Sequence, residues 1–238
     1  MYRGLRIALV VPVLDEEKKI GEVVRRAPRD VVDEVLVVDD GSCDSSREVA
    51  RAGGAQVLEL GRTIGVGAAL RAGFEWARAR GFDVIVVCAG NNKDAPEEIP
   101  RLLDPIAGGA DFVQGSRYLA GGRSGGMPLY RRLATRLHPL LFSLAVRRRV
   151  SESTNGFRAF RTRLLEDPRI RLDQRWLDAY ELEIYLYYQA IRLGYDVREV
   201  PVTKIYPPRS LGYTKMPAVT GWWSMMKPVV LLGLGIRR

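Results

Sequence analysis

Short apolar runs alternate with longer stretches of helical periodicity in the first half of the chain. The runs at residues 6–13, 34–38, 55–60 and 83–88 have the length of buried strands, and residues 64–80 show a helical pattern. Alternation of strand and helix is typical of a parallel sheet with right-handed crossovers and helices on both faces. The sequence therefore predicts an α/β fold, in which ligands bind at the carboxyl ends of the strands.

The pattern changes after a short strand predicted at residues 111–114. Two longer helices are predicted at residues 128–146 and 176–193, a turn-rich stretch at 151–156, and a last strand at 196–202. The glycine-rich residues 121–126 are the best candidate for a mobile segment, because glycine carries little steric restriction. These elements predict one domain over residues 1–215, followed by an apolar and basic segment at 216–238.

The segment at residues 216–238 has two interpretations. Its most apolar part, residues 228–236, is shorter than the ~20 residues that a membrane-spanning helix needs. Tryptophans beside a short apolar stretch with flanking cations suit a peripheral contact with a membrane interface. A helix that packs on the protein's own core explains the same pattern.

The net positive charge of the chain narrows the range of binding partners. Lys and Arg outnumber Asp and Glu by 37 to 28, so we expect anionic partners such as phosphorylated small molecules, nucleic acid or an acidic bilayer. No nucleic-acid-binding signature accompanies this charge, which argues against nucleic acid as the partner.

The sequence contains no recognisable cysteine or histidine metal site. The two cysteines, Cys43 and Cys88, and the single histidine lack the spacing of metal ligands. The start of the chain lacks a signal-peptide pattern, which predicts a cytoplasmic protein.

Acidic and polar clusters follow three of the predicted strands. They occupy residues 15–17, 39–42 and 90–94. One such cluster is most simply a helix cap, because Asp and Ser commonly cap helices. Three clusters along one edge of a sheet instead indicate a ligand site, where carboxylates accept hydrogen bonds from a base or a ribose.

Several segments together resemble a known enzyme family. Residues 11–17 (VPVLDEE) and 37–42 (VVDDGS) resemble the opening of family-two glycosyltransferases. The similarity continues through residues 115–118, 154–158 and 199–202 to Lys215, in the order found in the dolichyl-phosphate mannose synthase branch. This resemblance implies the GT-A fold and an inverting enzyme that transfers a hexose from a UDP- or GDP-sugar to a polyprenyl or dolichyl phosphate.

The resemblance also implies the residues of a donor site. They are Pro12, Asp15, Glu16, Asp39 and Asp40, with Arg62 and the loop at Gly65 and Gly67 near the nucleotide. The two glycines are equally explained by a tight turn or by close helix packing. Their string lacks the third glycine of a dinucleotide site and the Gly-Lys-Ser/Thr of a P-loop, so neither site is supported.

The chain departs from the family at the metal site. The resemblance implies an Asp-x-Asp pair that holds a divalent ion, but Ala89, Gly90 and Asn91 stand there. Asn91 and Asp94 remain candidate ligands for Mg²⁺ or Mn²⁺, although a neutral amide is a poor anchor for a hard cation. The sequence therefore argues against a tightly bound metal.

A lysine near this position suggests a substitute for the ion. We hypothesise that Lys93 partly replaces the metal at the leaving diphosphate, with Arg117, Arg209 and Lys215 as further phosphate contacts. A lysine with an ordinary pKa stays charged at neutral pH. The alternative is a solvated loop lysine, in an enzyme that is inactive or holds metal weakly through Asn91 and Asp94.

On the acceptor side, three carboxylates are candidates for orienting the acceptor or acting as a base: Glu152, Glu181 and Glu183. At most one of Glu181 and Glu183 should face the site, since residues two apart on a helix point in different directions. A phosphate acceptor needs little base catalysis, whereas a hydroxyl acceptor needs a base. Two rival functions stay open: transfer to a soluble hydroxyl acceptor, and noncatalytic binding of a nucleotide sugar or anionic lipid.

Overall fold

The computed structural model describes residues 1–211 and 220–237. The strands are β1 (Ile7–Val13), β2 (Glu34–Asp39), β3 (Gln56–Glu59), β4 (Val84–Val87), β5 (Phe112–Ser116), β6 (Arg123–Gly125), β7 (Arg158–Arg161), β8 (Val197–Pro201) and β9 (Thr203–Ile205). The α-helices are α1 (Glu17–Arg26), α2 (Ser46–Ala52), α3 (Val66–Ala79), α4 (Ile99–Ala107), α5 (Leu129–Val146), α6 (Glu181–Arg192) and α7 (Thr220–Gly233). The predicted α/β fold is confirmed.

Seven strands form the main sheet in the order β3-β2-β1-β4-β7-β5-β8. All neighbours pair in parallel except β7, which runs antiparallel to both β4 and β5. The chain moves outward from β1 to β3 and then returns to place β4 on the other side of β1. The carboxyl ends of β1 and β4 therefore border a topological switch point, where open α/β sheets bind their ligands.

Helices cover both faces of the sheet at its centre, which explains why β1, β2 and β4 are mainly apolar and buried. The edge strand β3 was predicted to be buried as well, but it is partly exposed because it has a neighbour on one side only. Ala8 and Val10 of β1 point into one core cluster, which α3, α5, α6 and α7 complete. Ile7, Leu9 and Val11 point into a second cluster on the opposite face, which α1 and α4 complete. Alternate residues of one buried strand thus contribute to both cores.

One local prediction differs from the structure, and one segment forms a strand that the sequence did not predict. The helix predicted from residue 176 begins at Glu181, because residues Arg175–Leu177 form a separate 3₁₀ turn. The glycine-rich residues 121–126 contain β6, which pairs in parallel with β9 in a small second sheet. Strand pairing supplies hydrogen-bond partners for this segment that its composition did not reveal. Its mobility stays a prediction.

The C-terminal helix α7 has one buried and one exposed side. Met225, Val229 and Leu232 join the core cluster beside α5 and α6, as expected for a helix packed on its own protein. Trp223 and Leu234 are exposed. Within residues 1–211 and 220–237, no helix has the length and apolar character needed to cross a membrane.

Candidate active site

A cavity of about 420 Å³ opens at the carboxyl ends of β1 and β4. Helices α5, α6 and α7 contribute to its far wall through residues such as Arg131, Glu183 and Met225. Of the residues predicted from the sequence, those that line the cavity are Pro12, Glu16, Asp40, Gly65, Asn91, Lys93, Arg117 and Glu183. The structure therefore brings predicted donor-side and acceptor-side residues to one space.

Asp40 is held at the cavity by the backbone. Its Oδ1 and Oδ2 accept hydrogen bonds from the N–H groups of Ile64 and Gly65, at 2.8 and 2.9 Å. Burial raises the pKa of the Asp40 carboxyl, against the opposing effect of these two hydrogen bonds. The side chain is thus fixed in place at the junction of β2 and α3.

Asp39 shapes the same turn but lies outside the cavity lining. Its carboxylate accepts the N–H of Ser42 at 3.1 Å. Gly41 between them has φ +83°, and a Cβ there would lie 2.6 Å from the main-chain carbonyl carbon of Arg62. Only glycine tolerates both the dihedral and this close approach. The exposed Arg62 also lies outside the lining, so its backbone rather than its side chain shapes this turn.

Asp15 and Glu16 have different roles at the end of β1. Asp15 accepts the N–H of Cys43 at 2.7 Å and donates its own N–H to Ser42 Oγ at 2.9 Å. It therefore joins the loop after β1 to the loop after β2, outside the cavity lining. Glu16 does line the cavity, where it forms a buried ion pair with Lys19.

The structure supports the packing explanation for the glycines at the start of α3. A Cβ at Gly65 would lie 2.3 Å from the carbonyl oxygen of Asp178, and one at Gly67 would lie 2.0 Å from that of Leu177. The N–H of Ala68 donates to the Asp178 carbonyl at 3.1 Å. Gly65 also lines the cavity, whereas Gly67 serves the contact between α3 and the segment before α6.

Lys93 is buried, with 7% of its surface exposed, and lines the cavity. Its Nζ lies 4.6 Å from the centre of the Tyr206 ring, at cation–π distance. Burial, followed by repulsion from Lys204 and Arg131, lowers the pKa of Lys93 to about 7, although Asp94 and Glu16 oppose this shift. The solvated-lysine alternative is therefore wrong. The expectation of an ordinary pKa is wrong as well, because it ignored burial.

The carboxylate of the neighbouring Asp94 forms an ion pair with another residue, Lys204. Its Oδ1 accepts a hydrogen bond from Lys204 Nζ at 2.5 Å, and its Oδ2 accepts the N–H of Ala89 at 3.3 Å. Asp94 is 2% exposed and lies outside the cavity lining. This carboxylate neutralises a buried lysine.

Glu152 positions Arg117. Its Oε2 accepts a hydrogen bond from Arg117 Nε at 2.6 Å, and its Oε1 accepts one from Thr154 Oγ1 at 2.8 Å. Glu152 is fully buried and lies outside the lining, whereas Arg117 reaches the cavity. Among the described residues, the buried Nη1 of Arg117 has no hydrogen-bond partner. Arg117 therefore offers a free donor at the cavity wall.

The two acids of α6 diverge as predicted. Glu183 lines the cavity and its Oε1 lies 3.5 Å from Arg158 Nη2. Glu181 is buried away from the lining and pairs with Lys227 of α7 at 3.4 Å. The backbone of Arg209 begins a 3₁₀ turn, Arg209–Leu211. The prediction for the Arg209 side chain, like that for Lys215, lies outside what the structure describes.

Comparison with known proteins decides the family. Residues 8–167 match the family model described as glycosyl transferase family 2. The chain is 34% identical to polyprenol monophosphomannose synthase of Mycolicibacterium smegmatis, over 89% of this chain and 81% of the relative. It belongs to glycosyl transferase family 2. Undecaprenyl-phosphate mannosyltransferase of Micrococcus luteus is 33% identical, over 89% of this chain and 88% of the relative. The predicted family and enzyme class are confirmed.

A solved structure confirms the GT-A fold of this glycosyltransferase. Glucosyl-3-phosphoglycerate synthase of Mycobacterium tuberculosis matches with a TM-score of 0.72 and 25% identity. The match covers 99% of this chain and 82% of the other. That structure contains Mn²⁺, UDP-glucose and phosphoglyceric acid.

The residues at the end of β4, where the family resemblance implies a metal, do not fit a divalent cation. Asn91 Oδ1 is buried without a hydrogen-bond partner among the described residues, but a single neutral amide oxygen is a weak ligand for a hard cation. The nearby carboxylate of Asp94 is occupied by Lys204. In the described part of the chain, no group of three or more His, Cys, Asp or Glu side chains could hold a metal.

Several cavity residues were missed by sequence reasoning. Lys204, Tyr206 and Arg131 surround Lys93, yet they come from β9, the loop after it and α5. The burial of Arg131 could have been predicted from helical spacing, because it shares one buried stripe of α5 with Thr135, His138 and Phe142. Lys204 offers no comparable signal, since its pairing with Asp94 depends on the tertiary fold.

Proposed function

We propose that this glycosyltransferase moves a hexose from a UDP- or GDP-sugar to a polyprenyl phosphate, with inversion at the anomeric carbon. The relatives named for polyprenol and undecaprenyl phosphate cover most of the chain, which favours the same class of acceptor. The observation that carries the proposal is the position of α5 and α7. Both helices line the cavity, and both expose apolar side chains on their outer sides.

On the donor side, Pro12, Glu16 and Asp40 are proposed to contact the base and ribose. Asp40 is suited to accept ribose hydroxyls, because two backbone N–H groups fix its carboxylate while it still lines the cavity. Asp15 and Asp39 are assigned a positioning role, since their hydrogen bonds hold the two loops that carry these contacts. This arrangement suits a nucleoside without distinguishing its base.

On the acceptor side, Arg117 is proposed to bind the phosphate through its free Nη1. A phosphate oxygen attacks the anomeric carbon as the bond from that carbon to the donor diphosphate breaks. The nucleoside diphosphate leaves with the bonding electrons. A phosphomonoester has its second pKa near ~6, so the nucleophile is already ionised at neutral pH. Glu183 is therefore assigned to orienting the acceptor rather than to removing a proton.

An exposed apolar face adjoins the cavity. We define this face by Leu129, Leu133, Leu137, Leu140 and Leu144 of α5 with Trp223, Val230 and Leu234 of the C-terminal segment. The leucines are spaced at helical intervals, and Arg136, Arg147 and Arg149 lie beside Leu140 and Leu144. Apolar side chains bordered by arginines suit an anionic bilayer surface. We therefore propose a peripheral membrane contact, at the cytoplasmic face, that delivers the lipid phosphate to the cavity.

The test is transfer from a panel of radiolabelled UDP- and GDP-sugars. One arm contains undecaprenyl phosphate in mixed micelles, and the other contains phosphoglyceric acid, the ligand in the Mycobacterium tuberculosis structure. Both arms are run with Mn²⁺ and with EDTA. Label that enters the organic phase with one donor supports the proposal. Label found only in a water-soluble product supports a soluble acceptor, and nucleotide binding without any transfer supports a noncatalytic protein.

A further inference from the structure

Some of the basic side chains along the cavity wall are paired with a carboxylate, and others are not. Four buried cations have a carboxylate partner: Lys19 with Glu16, Arg117 with Glu152, Arg158 with Glu183, and Lys204 with Asp94. Lys93 and Arg131 also line the cavity, and both are at most 7% exposed. Neither forms an ion pair with a carboxylate in the described residues, so two buried basic side chains face this space without a direct counter-ion.

Both cations are positioned around one aromatic ring. Lys93 Nζ lies 4.6 Å and Arg131 Cζ lies 6.0 Å from the centre of the Tyr206 ring. The ring face attracts each cation weakly and fills space that water would otherwise occupy. Tyr206 follows β9, and its N–H donates to the carbonyl of Gly125 in β6, so the small sheet holds the backbone that carries the ring.

The pair Lys204–Asp94 reinforces this arrangement. Asp94 is adjacent to Lys93 in sequence, but its carboxylate is bonded to Lys204 and to the N–H of Ala89. It is therefore a poor partner for a metal ion. Lys204 is close enough to repel Lys93, which adds to the positive potential on this side of the cavity. Buried cations without a counter-ion are costly, and such arrangements are typical of sites that bind an anion.

The anion that suits this site is a diphosphate. A nucleotide sugar carries one negative charge on each of its two phosphates, and further negative charge develops on the leaving oxygen during transfer. We propose that Lys93 and Arg131 bind the donor diphosphate and supply the two positive charges that a divalent cation would otherwise provide. The inference rests on the proposed function and extends it, because it defines how the donor is held and makes the reaction independent of metal.

Binding of UDP and GDP, measured by calorimetry in EDTA, tests this inference separately from transfer. We expect one nucleotide to bind in EDTA, with Mn²⁺ changing its Kd by less than about threefold. Lys93→Met and Arg131→Gln should each weaken binding by about 10- to 100-fold, as expected for loss of one charged hydrogen bond. Lys18 and Arg132 are exposed residues of the same two types and supply controls, and Lys18→Met and Arg132→Gln should leave Kd within about twofold.

A second set of variants separates lysine from metal binding. Ala89→Asp with Asn91→Asp, added to Lys93→Met, places two carboxylates at the end of β4. We expect Mn²⁺ to restore binding to this triple variant and not to Lys93→Met itself. Binding by the unmodified protein that requires Mn²⁺, or rescue of Lys93→Met by Mn²⁺, would overturn the inference and leave the proposed transfer standing. Failure of both nucleotides to bind under any condition would overturn the donor class as well. Circular dichroism verifies that each variant is folded.

Discussion

The two edges of the cavity hold their charged groups by different means. At the end of β2, Asp40 is fixed by the backbone N–H groups of Ile64 and Gly65, and the turn at Gly41 packs against the backbone of Arg62. At the end of β4, Lys93 lies near Tyr206, Arg131 and the Lys204–Asp94 pair, and all of these except Asp94 come from distant parts of the chain. The first edge is held mainly by backbone groups, whereas the second is held by side chains.

The largest loss of stability should follow from removing the ion pair at the second edge. Asp94→Asn leaves Lys204 buried without its counter-ion, so we expect the free energy of unfolding to fall by about 3–5 kcal/mol. Chemical denaturation of the variant measures this loss. Asp30→Asn is the matched control, because Asp30 is exposed and the change should stay within about 0.5 kcal/mol. An Asp94→Asn variant as stable as this control would show that the pair is not a structural element.

The same substitution at the first edge should cost less. Asp40→Asn keeps one oxygen acceptor but turns an amide group toward a backbone N–H, so one of two hydrogen bonds is lost. We expect the free energy of unfolding to fall by about 1–3 kcal/mol. A loss equal to that of Asp94→Asn, in the same denaturation experiment, would remove the distinction between the edges.

Nucleotide binding should depend on pH through the second edge. The pKa of Lys93 is lowered to about 7 by burial and by repulsion from Lys204 and Arg131, and Asp94 and Glu16 oppose this. The diphosphate binds the charged lysine, so the contribution of Lys93 to affinity is greatest at pH values below its pKa of about 7. Above it, affinity should fall by up to about tenfold per pH unit until the pKa of the bound state is reached. Calorimetric Kd values between pH 6 and 9 measure this slope.

The variant Lys93→Arg tests whether Lys93 is the group whose titration causes this pH dependence. Arginine stays charged over this whole range, so Lys93→Arg should flatten the decline between pH 7 and 9. An unchanged slope in Lys93→Arg would assign the titration to another group.

The smallest effect concerns the outer surface. Trp223 is 61% exposed on α7 within the apolar face. Trp223→Ser should weaken binding to vesicles that contain anionic phospholipid by about fivefold, because roughly 1 kcal/mol of apolar burial is lost. Vesicle cosedimentation measures this effect, with neutral vesicles and the Kd for nucleotide as controls. If Trp223→Ser and the unmodified protein cosediment equally with these vesicles, Trp223 is not part of the membrane contact.

The strand and the turn of the first edge were predictable from the sequence because their signals are local. An apolar run followed by Asp39, Asp40, Gly41 and Ser42 indicates a buried strand that ends in a tight turn, and the structure contains both. The α/β fold follows from the same kind of periodicity. The antiparallel β7 was not predicted, since strand direction depends on how the chain returns to the sheet and not on the residues of the strand.

The second edge was only partly predictable. Lys93 was identified as a candidate cation, but its burial and lowered pKa depend on Tyr206 and Arg131, which lie far away in sequence. Asp94 was a candidate metal ligand until its pairing with Lys204 became visible. A charged residue's role depends on its partners, and the sequence does not specify partners across elements.

A crystal structure of the protein with UDP or GDP, grown with Mn²⁺ and measured at a wavelength that gives an anomalous signal for manganese, shows directly whether Lys93 and Arg131 replace the metal. We expect the diphosphate to lie in the cavity within hydrogen-bond distance of Lys93 Nζ and the Arg131 guanidinium, with no anomalous peak beside it. A manganese peak coordinated by Asn91 or Asp94 and the diphosphate would show instead that a metal ion binds the diphosphate.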